Sequence, residues 1–186
     1  MTKTMFFKSG IKQGIIMGLC FCLYTTLMWL TKLDTTYLNI GQYFDIAIIL
    51  LPVFMIFWII KKHTDYYRIT IFQRIALAVL VGFVSYLIYD PFLYIYHHYI
   101  NPDWYDAVVN LKEADLMTVH TPQNKITAVL KEMKTSPIAQ ANLFRLSAAI
   151  PSVIILPVLI ALISLLFIRN KTRNTTANHE SPLAVM

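Results

Sequence analysis

Two aspartates stand where water is scarce. Asp45 lies at the head of one long apolar run and Asp90 at the tail of another. Each falls about one helical turn inside a membrane boundary, and ionisable residues at that depth are the first candidates for proton or cation chemistry. At similar depth on neighbouring helices, the pair could share one proton or hold a cation. Each also has a structural explanation, and that reading is preferred. Asp45 is expected in the first turn of a helix, where the positive end of the helix dipole favours a carboxylate. Asp90 precedes Pro91, the N-cap and N1 pair of a helix that breaks and restarts at the interface.

The remaining reactive residue types are sparse. His97 and His98 are adjacent, about 100° apart around a helix, so they cannot clasp one metal as an i, i+4 pair would. With His120, Asp103 or Asp106 they could form an outer metal site only through folding that the sequence does not spell out, and interfacial histidines among tyrosines are the preferred reading. His63, beside Lys61 and Lys62, reads as part of a cluster for lipid headgroups. Cys20 and Cys22 project from nearly opposite faces of one apolar helix and read as packing residues without a disulfide. The sequence has no Ser-His-Asp set, glycine-rich phosphate loop or His-Glu zinc motif. The expectation is therefore a protein that is not an enzyme, with no metal and no cofactor.

The elements that hold these residues are set by composition. Of 186 residues 57% are hydrophobic and only 14% charged, against about 25% charged in a soluble domain. The surplus must face lipid. Charge-free runs from Gln13 to Thr31 and from Leu146 to Ile168 match the roughly 20 residues that cross a bilayer. Those from Ile46 to Ile60 and from Ile75 to Tyr89 fall short of a core about 30 Å thick. The second must recruit Gly41 to Asp45, and the third must take in Arg74 and Asp90. Spans are thus expected at about 12–31, 41–60, 71–94 and 144–168. The first is not expected to be a cleaved signal peptide, because Trp29 to Lys32 offer no small-x-small site.

Charge then orients the chain. Ten of sixteen Lys/Arg lie in the N-terminal arm, the second connection and the tail, whereas eight of ten Asp/Glu lie in the alternating set. By the positive-inside rule both termini are cytoplasmic. The net charge of +6 sits beside apolar segments rather than in a basic stripe with interleaved aromatics, which argues against nucleic acid. Between spans three and four, residues of about 101–136 form an outer helical segment. Asn101-Pro102-Asp103 starts one helix, Thr121-Pro122 a second, and Ile126, Val129, Leu130 and Met133 give the second a single apolar face. Residues 1–171 read as one membrane domain and 172–186 as a disordered cytoplasmic tail.

Gly10, Gly14, Gly18 and Cys22 recur every four residues along helix one. Such a stripe lets another backbone approach closely, which is how membrane helices gain packing contacts. Ala78 and Gly82 on helix three are the expected complement, and packing within one molecule is preferred over a homodimer through helix one. The fold class is all-α, an integral membrane four-helix bundle with a small helical extracytoplasmic segment between helices three and four.

This layout resembles a bacterial family of four-helix membrane proteins of unknown function. The marks are a basic arm leading into a Gly-spaced helix, two spans joined by a basic connector, a Tyr-rich third helix ending in Ile100-Asn101-Pro102, and a Pro-containing last span ending in Phe167-Ile168-Arg169-Asn170-Lys171. They cover about residues 5 to 171. The resemblance implies a bacterial inner-membrane location and supplies no activity, substrate or site residues. Two functions follow as expectations. The first is a non-enzymatic accessory or interaction subunit in the lipid bilayer, meeting a protein partner or a second copy through helix one and the outer segment. The alternative is a small ion- or proton-coupled transporter working as an oligomer through Asp45 and Asp90.

Overall fold

The structure is a computed structural model, and it describes residues 3–67, 69–136, 142–144 and 149–168. Among them every regular element is helical. The elements are α1 (Lys3–Leu30), α2 (Leu38–Ile48), α3 (Leu50–Tyr66), α4 (Ile71–Ile95), α5 (Trp104–Thr118), α6 (Gln123–Thr135) and α7 (Leu156–Phe167). A π-helical turn, Tyr96–Ile100, extends α4, and another, Ile150–Ile155, leads into α7. Four helical stretches are long and apolar enough to cross a membrane: Phe6–Leu30, Leu38–Tyr66, Ile71–Ile100 and Ile150–Phe167. The tail 172–186 and residues 145–148 of the expected span four lie outside the described residues.

The short second run is lengthened beyond its charge-free stretch. Leu38 to Tyr66 forms one helical span with a local break at Ile49, and α3 has Pro52 as its third residue. Proline donates no hydrogen bond, and its ring collides with the carbonyl four residues earlier, here that of Ile48. The same argument explains the π turn before α7. Pro151 and Pro157 both disturb the ladder there, and a wider turn is how a helix absorbs such a fault without ending.

Helix α4 is the centre of the bundle. Its main neighbours are α1 on one side and the Ile150–Phe167 span on the other, while α3 closes against α7. The buried core, including Met17, Met55, Ile56, Ile60, Leu77, Ala78, Val81 and Ile160, gathers where these four meet. Only 22% to 33% of each span is buried inside the protein. Most of its leucines and isoleucines face outward, Leu23, Leu50 and Leu166 among them. Exposure of that extent around four apolar helices is what a hydrocarbon surround requires.

The glycine stripe of α1 is buried against α4, as intramolecular packing requires, but its partner is not the one expected. A Cβ at Gly10 would meet Leu80 and Leu77, one at Gly14 would meet Val84 and Val81, and one at Gly18 would meet Ile88 and Ser85. The α4 face opposite is therefore large and branched. Gly82 instead receives Pro157 and the carbonyls of Ser152 and Val153 from the last span. Ala78 is fully buried in the shared core. The physical reason is one of fit: three small residues on one helix make the groove, and a ridge of Leu, Val and Ile fills it better than a second groove would.

Candidate functional site

One end of the bundle is organised by the way α1 stops. The amide of Leu33 bonds to the Met28 carbonyl and that of Lys32 to Trp29, with Lys32 at φ 56°. This is a Schellman closure, a position usually given to glycine, and it turns the chain sharply back over the helix end. Leu33 then lies so close to α2 that a Cβ on Gly41 would collide with its carbonyl oxygen. Only glycine fits there. The next residue, Asp34, is delivered beneath the loop towards α4.

The π turn supplies what meets it. The amide of Asn101 reaches the Tyr96 carbonyl at 2.8 Å, and this wider turn brings Tyr96 and Asn101 to bear on the same carboxylate. The Tyr96 hydroxyl donates to Asp34 Oδ2, and Asn101 Nδ2 donates to the same oxygen at 2.8 Å and to Tyr96 Oη at 3.0 Å. Tyr96 and Asn101 are buried, and Asp34 Oδ1 is enclosed without a hydrogen-bond partner. Burial pushes the Asp34 carboxyl above its ordinary value, the amide of Asn101 pulls it down, and the nearby charge of Asp45 adds to the rise. The cluster ties the first connection to the end of span three.

Two open grooves flank this cluster. One, of 590 Å³, runs between the Thr35–Ile40 stretch and Ala107, Asn110 and Leu111 of α5; the other, of 360 Å³, is bounded by Trp29, Lys32, Thr36 and Asn101. The α5–α6 hairpin is fixed by Tyr105, whose hydroxyl donates to the Met133 carbonyl at 2.7 Å. Ile126 is buried and Val129, Leu130 and Met133 are half-buried, so the apolar face of α6 is turned inward while its Lys and Glu residues remain exposed.

The two aspartates singled out by the sequence occupy different settings from those expected. Asp45 is the eighth residue of α2 rather than a first-turn residue, because the helix begins at Leu38. Its Oδ1 accepts the Tyr24 hydroxyl at 2.6 Å from α1, beside a Thr25–Tyr89 pair at 3.0 Å. Asp90 does not start a new helix. α4 runs unbroken through Asp90 and Pro91, and Asp90 Oδ2 accepts the backbone amide of Phe144 at 2.7 Å, pinning the approach to span four. Proline is tolerated here because neighbouring groups in a bundle can satisfy the carbonyls it leaves free. The two carboxylates thus hold different parts of the chain.

The histidines and the arginine are also placed by packing. His97 stacks on Trp104 at 4.2 Å and His98 on Tyr94 at 4.2 Å. Among the described residues no three of His, Cys, Asp and Glu gather as a metal-binding group. His63 does not join Lys61 and Lys62 at the headgroups. It is buried against the Phe6 ring at 5.7 Å, because its position on α3 faces α1 while the lysines face away. Arg74 is buried too, and its guanidinium donates to the Ser164 carbonyl of α7 at 3.4 Å. Cys20 and Cys22 are free thiols.

Asp34 carried no motif in the sequence; it was one acid in a short connection. The only advance signal was the Tyr-rich end of helix three with Ile100-Asn101-Pro102. A family model described as "Protein of unknown function (DUF4199)" matches residues 12–170. No curated protein and no solved structure matches the chain.

Proposed function

This chain belongs to the DUF4199 family of proteins of unknown function, and from that premise we propose that it is a non-enzymatic accessory subunit of a membrane, engaging a protein partner through its outer end. The observation that carries this reading is the 590 Å³ groove between the first connection and α5. Its walls mix hydroxyl and amide groups with Tyr37 and Leu111, and the Asp34–Tyr96–Asn101 cluster stiffens the loop that forms one wall. A preformed cleft with a few polar groups and little freedom to collapse is the surface that binds at low ordering cost. The glycine stripe of α1 is occupied by α4, so a second copy would have to use another face of helix one.

In this reading the membrane is the bacterial inner membrane and both termini are cytoplasmic. The charge asymmetry supports it, as does the approach of the first and last spans to α3 from its middle onward: Phe6 at the start of α1 meets His63, and Phe167 at the end of α7 meets Phe57. The test is capture at native expression. Filling the groove with Ala107→Trp is expected to remove a protein that co-purifies with the parent and to leave the fold intact by circular dichroism. Absence of any co-purifying protein, with an outer segment that tolerates wholesale substitution, would sink the proposal. The competing reading, a proton- or ion-coupled transporter, draws on the hydroxyl–carboxylate pair Tyr24–Asp45 between α1 and α2, with Asp45 exposed on the bundle's surface. It predicts loss of flux in Asp45→Asn with Asp90→Asn.

A further inference from the structure

The opposite, inner end carries a groove that this function does not use. It has a volume of 770 Å³ and lies between α3 and the end of α7. Its floor is aromatic: Phe54, Phe57 and Trp58 from α3, and Phe167 from α7. Phe57 and Phe167 lie 6.2 Å apart, Phe54 and Trp58 5.7 Å apart edge to face. Lys61 and Lys62 stand on its rim one turn further along α3, with Asp65 a turn beyond. Residues 54, 58, 61 and 65 follow one helical stripe, so the groove passes from apolar to cationic towards the membrane surface over about 10 Å.

We propose that this groove is a binding site for one anionic phospholipid, with an acyl chain along Phe54, Trp58 and Phe167 and the phosphodiester on Lys61 and Lys62. Three features support it. The aromatic floor is exposed at depth in a helix that faces hydrocarbon; Phe54 is 60% and Trp58 56% exposed. Among the described residues Lys61, Lys62 and Asp65 form no ion pair, so the lysines have charge to offer. Two lysines and one aspartate leave one net positive charge at the rim, the complement of a single phosphodiester. Lysines at a membrane interface attract anionic headgroups, and pockets between spans make that attraction selective.

The chain has three tryptophans, and Trp29 and Trp104 belong to the outer end. Replacing both with Phe leaves Trp58 as the reporter in the full-length protein reconstituted in phosphatidylcholine vesicles. Acyl-brominated phosphatidylglycerol is expected to quench Trp58 at about tenfold lower mole fraction than brominated phosphatidylcholine, since each interfacial lysine contributes about fivefold and Asp65 takes part of it back. Lys61→Gln with Lys62→Gln should abolish the preference. Removing as much charge from α1 at the same membrane end, with Lys8→Gln and Lys12→Gln, should leave it intact. Equal quenching by the two lipids would overturn the site, as would equal loss in both lysine pairs, which indicates diffuse surface attraction. A change in Trp58 emission on adding inorganic phosphate to pure phosphatidylcholine vesicles would mark a free-anion site and overturn the lipid assignment.

Discussion

Replacing Gly14 with alanine tests the central contact of the bundle. The new Cβ would lie 2.6 Å from Val84 Cβ and 2.9 Å from the Val81 carbonyl oxygen, whereas carbon atoms rest at about 3.5–4.0 Å. Neither obstacle can rotate away, since one is backbone and the other is fixed to it. Helices α1 and α4 must therefore part by about 1 Å, which forfeits a quarter to a half of each dispersion well of ~0.1–0.2 kcal/mol. Summed over tens of atom pairs, the cost is about 1–3 kcal/mol, the range of overpacked interiors. At Gly18 the nearest atoms are at 3.0 Å and 3.1 Å, and at Gly10 the 2.6 Å neighbour is the tip of the Leu80 side chain, which can swing aside. Unfolding in mixed micelles under increasing dodecyl sulfate should rank the losses Gly14→Ala first, Gly18→Ala second and Gly10→Ala least. The intrinsic helix preference of alanine is common to all three and cancels in the ranking. Val84→Ala should not rescue Gly14→Ala, because it retains the atom that is struck. A Gly10→Ala loss equal to that of Gly14→Ala, or rescue by Val84→Ala, would refute the geometry.

Three further outcomes are expected. The Asp34 carboxyl is raised in the fold, so the folded state holds its proton more tightly than the unfolded state does. Its stabilising contribution is complete below the ordinary aspartate value and is lost as pH rises through the folded value; Asp34→Asn should flatten that part of the melting profile. Lys32 and His120 hold left-handed conformations, φ 56° and 54°, at helix ends, and glycine at either should raise stability by about 0.5–1 kcal/mol in thermal unfolding. Tyr105→Phe deletes the bond to the Met133 carbonyl, costing about 1 kcal/mol and increasing proteolysis of α6 ahead of the bundle.

The four apolar spans and the helices α5 and α6 were legible because apolar length and start signals are local properties. Gly10, Gly14 and Gly18 were legible as a packing stripe for the same reason. Their partner was not, because a four-residue period says that something approaches closely without saying which ridge fills the groove. Asp45 and Asp90 were misplaced for a related cause. The first-turn and capping assignments assumed a second helix starting near Gly41 and a third that breaks at Asp90-Pro91, yet the second begins upstream at Leu38 and the third runs on through Pro91. Asp34 was missed because its role depends on Tyr96 and Asn101, more than 60 positions away, and on a π turn that no spacing rule announces.

The pairing of α1 with α4 also bears on how the molecule is made. The first span's principal neighbour is not the second span but the third in sequence, so the glycine groove stays empty while α2, α3 and the basic connector emerge. Until then the contacts of α1 are those with α2 and α3, and its small-residue face stays uncovered. Such a face is open to any passing helix with a Leu/Val ridge. On this geometry the groove is filled only once Val81 and Val84 are in place. A chain interrupted in the connector would leave a half-bundle with that face uncovered.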